Sequence, residues 1–214
     1  MAPWLLELYL IVPEIHDLSS TIIVAVIIYG ICNLIIVYCR IPGVKAMKRC
    51  FPQLLPAQEF LLPSSRQIDI VTKERYYNFF SEHIDGFKTS NDDKEMLPYV
   101  STAVTWLISK TRDSTKFPLI AEENANFGFT YNLLGLKPFG IAISCIGVIF
   151  NSILMYLYFA HSVFVDLKIL LSGLVIHLLF LLLWIFIITK SLVISAGKKY
   201  ARALLSACDS GNID

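Results

Sequence analysis

The stretches PFGIAISCIGVIFNSILMYLYFA (138–160) and LKILLSGLVIHLLFLLLWIFIIT (167–189) decide the fold. Together they hold one charged residue, Lys168. At about 1.5 Å of rise per helical residue, each is long enough to match the ~30 Å hydrocarbon core of a bilayer. The segment 161–166 between them leaves room only for a tight turn, so the two runs are predicted as a transmembrane hairpin. A third uncharged run, LSSTIIVAVIIYGICNLIIVYC (18–39), passes the same length test. The chain of 214 residues is therefore expected to be an all-α integral membrane protein with three transmembrane helices. Residues 40–136, between the first and second, are expected to form a small helical cytoplasmic domain.

Charge gives this layout a direction. No Lys or Arg precedes Arg40, which argues against a cleaved secretory signal because the basic n-region is missing. Arg40, Lys45, Lys48 and Arg49 follow the first span, Lys137 stands before the second, and Lys190, Lys198, Lys199 and Arg202 follow the third. Basic residues beside spans stay cytoplasmic. The arrangement that satisfies every loop has the N-terminus outside, the 40–136 domain inside, the 161–166 hairpin outside and a cytoplasmic tail at 190–214. In a bacterial inner membrane the two sides are periplasm and cytoplasm. Residues 1–17 carry only acidic charge around an apolar core from Trp4 to Val12 that is too short to span. With Trp4 and Tyr9 suited to headgroups, they are read as an interfacial helix on the outer face, or as a cap across the outer end of the bundle.

Polar residues inside the spans are the candidate functional positions, since an amide or imidazole in hydrocarbon faces other helices or a wet cavity. Three qualify: Asn33, Asn151 and His177. Measured from the span centres, Asn151 and His177 come out level, and a hydrogen bond across the hairpin is geometrically open to them. They are either interhelical glue, worth around 0.6 kcal/mol per contact, or a polar stripe lining a pore. Three spans enclose no aqueous channel comfortably, so a pore requires a homo-oligomer. Gly140, Ala142, Ser144, Gly147, Ser172 and Gly173 permit close backbone approach. The basic residues, Arg40, Lys45, Lys48 and Arg49 above all, fix topology or meet anionic lipid headgroups.

In the cytoplasmic segment, Pro42, Gly43, Pro52, Pro56 and Pro63 are spaced to interrupt any long helix, and residues 41–65 are read as an arm along the membrane. Ser64 or Ser65 can then cap a helix over Gln67–His83, stopped by Asp85-Gly86. A second helix is expected from Asn91 to Lys110 or Thr111, with Pro98 early in it, and a third stretch runs from Pro118 to the membrane at Lys137-Pro138.

The sequence offers no chemistry for catalysis. It contains no GxxxxGK[ST] phosphate loop, HExxH pair or GxSxG elbow. Glu82, His83 and Asp85 sit at positions that point in different directions on a helix. Glu122 and Glu123 are read as solvated charges. Five cysteines, Cys32, Cys39, Cys50, Cys145 and Cys208, without a CxxC or Cys/His cluster, suggest neither a disulfide framework nor a metal site. With 12 Lys/Arg against 11 Asp/Glu, residues 40–136 lack the basic surplus that holds nucleic acid. No enzyme activity and no cofactor are expected, and membrane lipid is the expected contact.

One local stretch, NLLGLKPFG (132–140), carries a compact helical domain into the closing two-helix hairpin. In this layout and size the chain resembles the small transmembrane effectors of bacterial anti-phage systems, particularly those paired with retron reverse transcriptases. The resemblance implies an inner-membrane protein, silent until infection, that damages the membrane when a cytoplasmic defence-system partner signals through the domain, in abortive infection. It transfers no functional residue. The other reading is a membrane-anchored interaction protein, such as an immunity or accessory subunit.

Overall fold

The computed structural model describes residues 40–160 and 166–211, together with Trp4, Tyr29, Tyr38 and Ile213. The 18–39 run apart from Tyr29 and Tyr38, with Asn33 in it, the 1–17 segment apart from Trp4, and the connection 161–165 lie outside the described residues. Among the described residues every regular element is helical. Helix α1 covers 40–50; α2 is Pro56–Phe60, α3 Ile70–His83, α4 Asp93–Lys110, α5 Pro118–Phe159, α6 Leu167–Leu182 and α7 Lys190–Leu205. A π-helical turn, Leu183–Ile187, extends α6, and a short 3-10 turn, Ser206–Asp209, follows α7. Among the described residues two helices are long and apolar enough to cross a membrane: Pro118–Phe159, and Leu167–Ile187 counting the π turn.

The chain divides into two compact units, one drawn from Met1–Ala46 and Asn132–Thr189, the other from Met47–Tyr131 and Lys190–Asp214. The second is a helical domain built on periodicity. On α4 the buried positions are Met96, Val100, Ala103, Val104 and Leu107, the stripe that a 3.6-residue repeat lays along one face. Phe60 and Leu61 beside α2, Tyr76 and Phe80 of α3, and Leu204 and Leu205 of α7 complete the core. Asp69 caps α3, its Oδ1 accepting from the Thr72 amide at 2.8 Å, in place of the expected Ser64 or Ser65. Ser64 instead bonds Asp93 at the start of α4, through both its amide and its hydroxyl. The expected stop after α3 holds: Gly86 has φ of 77°, a left-handed turn that a side chain resists.

Three expectations are corrected. Residues 40–50 are helical, not an irregular arm, despite Pro42 and Gly43. The reason is packing: a Cβ on Gly135 would collide with the backbone of Pro42 and Gly43, and one on Gly43 with Asn132, so α1 and α5 cross backbone to backbone at their glycines. Pro138 likewise starts no new helix but lies inside α5, since a proline is tolerated where neighbouring helices support the backbone. Finally, 190–214 is not a tail. Val193, Gly197, Ala201, Leu204 and Leu205 recur on one buried face of α7, and its Ala201, Leu204 and Leu205 belong to the domain core. At Gly197 a Cβ would stand 2.8 Å from Phe51 Cζ and 3.1 Å from Phe127 Cε2, so any side chain there requires the Phe51 ring to shift.

Candidate functional site

The candidate site is the seam between α5 and α6. On α5, Gly140, Ser144, Gly147 and Asn151 follow one another at steps of four, three and four; on α6 and its π turn, Leu170, Gly173, His177 and Trp184 do so at three, four and seven. Seven residues are two helical turns, so both stripes stay on one side of their helices. The contacts fix an antiparallel register. A Cβ on Gly140 would fall within the Trp184 indole, and one on Gly147 within the His177 imidazole. Each glycine is thus the hole into which a large ring of the facing helix fits.

The seam conceals polarity. Asn151 and His177 are fully buried and Ser144 is 1 % exposed. Outward positions such as Ile146, Ile149, Ile153, Leu178, Leu179 and Phe186 are exposed and apolar, the surface that suits hydrocarbon. Asn151 turns its amide back along its own helix, Nδ2 donating to the Gly147 carbonyl at 3.1 Å, and its Oδ1 finds no partner among the described residues. His177 lies opposite Gly147 rather than opposite Asn151, so the level pair expected from the sequence is offset by one turn, about 6 Å. Trp4, expected among headgroups, is also here: its ring centroid is 4.9 Å from that of His177, midway along α6, and 5.4 Å from that of Phe150, in the middle of the 138–160 run.

One end of the seam is closed by a cation. Lys137 Nζ donates to the carbonyls of Ile188 at 2.7 Å and Ile185 at 3.0 Å. A π turn ends with carbonyls left over, and a positive charge is favourable at a helix C-terminus. Lys137, a topology marker by sequence, therefore caps the neighbouring helix. Lys137→Met is expected to lower the stability of the purified protein in detergent by about 1–3 kcal/mol, the net contribution of hydrogen bonds from a charged donor, with Lys137→Arg retaining most of it. Equal unfolding midpoints for Lys137→Met and the parent would refute the cap.

The remaining candidates do not gather into a site. Arg40, Lys45, Lys48 and Arg49 are exposed on α1, with Lys45, Lys48 and Arg49 sharing a face at helical spacing. On α7, Lys199 and Arg202 are exposed and Lys198 is half-buried; the Arg202 guanidinium lies over the Phe60 ring at 5.9 Å. Among the described residues no three His, Cys, Asp or Glu cluster in a way that could hold a metal ion.

The helical domain holds an open cavity of about 860 Å³, lined by Ser64, Arg66, Asp69, Lys73, Tyr77 and Asn91 among others. At its wall Lys73 is 6 % exposed and donates to the carbonyls of Ser65 at 2.6 Å and Leu62 at 2.7 Å. Burial lowers the affinity of its amine for a proton, and the charge of Asp93 offsets this in part. Lys73 thus holds the 62–65 loop. Burial likewise pushes the Cys208 thiol up to about 12, with the Asp209 charge adding to the effect, and that keeps it in its inert protonated form.

Sequence reasoning names Ser144 only as a small residue for close approach, and misses Trp4 and Trp184 as seam residues and Lys137 as a cap. A signal for Trp184 is present: Gly140 and Gly147 have the same seven-residue separation as His177 and Trp184. The chain matches no protein-family model, no curated protein and no solved structure.

Proposed function

We propose that this protein is a bacterial inner-membrane effector of an anti-phage, abortive-infection system, which permeabilises or perturbs the membrane when a cytoplasmic partner engages its helical domain. The observation that carries the reading is the concealed polarity of the hairpin: Ser144, Asn151 and His177 buried between helices whose outer faces are apolar. Two anchoring helices need only apolar packing, and polar groups at such depth are costly where they serve nothing. Closed, the hairpin hides them from lipid and is silent. Opened, it offers them to water or to the same groups in further copies, and a homo-oligomer then perturbs the bilayer. This differs from a stripe that always faces a lumen, because within one chain both Asn151 and His177 face inward. No chemical step and no cofactor enter the proposal.

The proposed topology is multi-pass, with the N-terminus periplasmic and the domain and C-terminus cytoplasmic. Its support is that α7, which follows the two apolar helices in sequence, shares a core with α2–α4, which precede them, as an even number of crossings between the two would allow. The exposed basic residues Arg40, Lys45, Lys48, Arg49, Lys199 and Arg202, which flank the apolar runs in sequence, support the cytoplasmic assignment through the bias of such residues toward that side.

Expression of the chain alone from a controlled promoter, with membrane potential followed by a fluorescent dye, tests the effector. At high expression, where crowded copies can open against one another without the partner, the parent is expected to depolarise cells, and an Asn151→Leu/His177→Leu variant at equal membrane level is expected not to. Depolarisation by both would discard the polar seam as its means. A second reading, an anchored interaction, immunity or accessory subunit, is favoured by the polar cavity beside Lys73. Silence of the parent even with its neighbouring genes present would select it.

A further inference from the structure

The loops on either side of α3 in sequence are pinned by their own bonds, while several side chains they bring to the cavity of about 860 Å³ are left free. Lys73 fixes one wall through the carbonyls of Leu62 and Ser65. Ser64 ties that wall to α4, its amide donating to Asp93 Oδ1 at 3.0 Å. A second wall is set by Ser90, whose hydroxyl donates to Glu95 Oε2 at 2.7 Å and accepts from the Asp92 amide at 3.1 Å. The cavity also takes one face of α3, where Ile70, Lys73, Glu74, Tyr77 and Asn78 follow at helical spacing. Arg66, Glu74, Asn78, Thr89 and Asn91 line the same space, and their side chains have no hydrogen-bond or ion-pair partner among the described residues. Ile70, also in the lining, is 72 % exposed. Fixed walls around a few convergent, uncommitted polar groups are the form of a ligand site.

We propose that this groove binds an extended peptide segment of a protein partner, about four residues long, through its backbone amides and one side chain of each charge. The length follows from α3. From Ile70 to Asn78 is about 12 Å of helix, which an extended chain covers in about four residues at ~3.3 Å each. The chemistry follows from the free groups. The carboxamides of Asn78 and Asn91 each offer donors and an acceptor, the complement of a peptide bond. Glu74 suits a basic side chain and Arg66 an acidic one, and the exposed Ile70 gives an apolar side chain a place to rest. A phosphate-bearing ligand fits worse. Lys73 uses its donors on carbonyls, which leaves Arg66 as the free cation among the described lining residues, against two carboxylates, Asp69 and Glu74. That a peptide held here is the trigger rests on the effector reading; the preference of the groove does not.

The full chain, in lipid nanodiscs, is incubated with a random library of N-acetylated, C-amidated tetrapeptides, and the bound peptides are sequenced by mass spectrometry. The parent is expected to enrich peptides that carry a basic and an acidic residue in one fixed order. Arg66→Glu is expected to exchange the acidic preference for a basic one and leave the other position alone, and Glu74→Arg to do the converse. Asn78→Leu/Asn91→Leu is expected to weaken the enriched peptides about tenfold, the loss of one or two hydrogen bonds. All four side chains are exposed, and an unchanged near-ultraviolet circular dichroism spectrum checks that the variants keep the fold. No enrichment by the parent overturns the proposal. The same enriched set in both charge-reversed variants overturns it too, since the peptide would then lie elsewhere. So does release of the peptides by an equal concentration of adenosine monophosphate, which would mark a phosphate site. Lys88→Glu, exposed but outside the lining, is expected to change nothing; a shifted preference there means surface charge in general and counts against the groove. Depolarisation of cells by a parent that binds no peptide overturns the groove alone. Peptide binding by a chain that is silent in cells, with its neighbouring genes present, keeps the groove and removes the effector reading.

Discussion

Replacing Gly147 with alanine destabilises the protein. In an ordinary helix the same change stabilises, by roughly 0.5–1 kcal/mol, because alanine loses less conformational freedom on folding. Here the new methyl group has to occupy the plane of the His177 imidazole. Neither atom set can yield: the glycine Cα is fixed by the helix, and the ring is held by Trp4 on another side. Overpacking of this kind costs about 1–3 kcal/mol, enough to reverse the sign. Gly147→Ile enlarges the effect until α5 and α6 separate. The measurement is thermal unfolding in detergent, followed by the near-ultraviolet circular dichroism of the tryptophans. Adding His177→Ala supplies the missing space, so the Gly147→Ala/His177→Ala pair is expected to be more stable than the sum of the single changes predicts, by at least ~1 kcal/mol. A Gly147→Ala protein as stable as the parent would show that the ring is elsewhere. Gly140→Ala, facing Trp184, repeats the test two turns away, and there Lys137 limits how far the helices can part.

How much of this is legible in the sequence depends on what each residue advertises. The runs 138–160 and 167–189 are plain because charge is absent from almost every position, and the end of α3 is plain because Asp85-Gly86 permits a left-handed turn. The reading goes wrong where one residue type serves two purposes. Pro42 and Gly43 look like breakers, but a glycine that stops an isolated helix also lets two helices touch, and Gly135 supplies the partner nearly a hundred residues later. In α7, Lys198, Lys199 and Arg202 draw attention as topology markers, while Val193, Gly197, Ala201 and Leu204 carry the buried stripe between them. For the seam, periodicity identifies the faces but not the axial register. Span centres taken from the ends of apolar runs place His177 opposite Asn151. The actual offset of one turn is set by Trp184 seated on Gly140 and Lys137 on the carbonyls of the π turn, contacts between distant positions. Trp4 is the least legible, since an indole near the N-terminus fits a headgroup layer as well as a helix seam.

The same reassessment of α7 yields the largest expected loss. Ending the chain after Thr189 removes no predicted span, and a chain whose last residues were a solvated tail would keep its domain intact. The core argues otherwise. Leu204 and Leu205 are 0 % and 1 % exposed, and they pack with Phe60, Phe80 and Leu107, themselves fully buried. Truncating one buried leucine to alanine costs about 2–5 kcal/mol, and whole domains are stable by only about 5–15 kcal/mol. Losing both leucines together with Val193, Ala201 and Ala207 therefore unfolds the helical unit, and limited proteolysis in vesicles is expected to cut 47–131 at many sites at concentrations that leave the parent intact. A subtler pair of variants tells packing from charge. Arg75 meets Asp209 just past α7 through two bonds, Nε to Oδ1 at 2.7 Å and Nη2 to Oδ2 at 3.0 Å, but both side chains are substantially exposed. An exposed pair contributes at most about 1 kcal/mol. Arg75→Met is therefore expected to resist protease nearly as well as the parent, and Leu204→Ala to be cleaved far faster. The reverse order would mean that the C-terminal helix is held at its surface and not by its buried face, and the assignment of 190–214 to the core would fall with it.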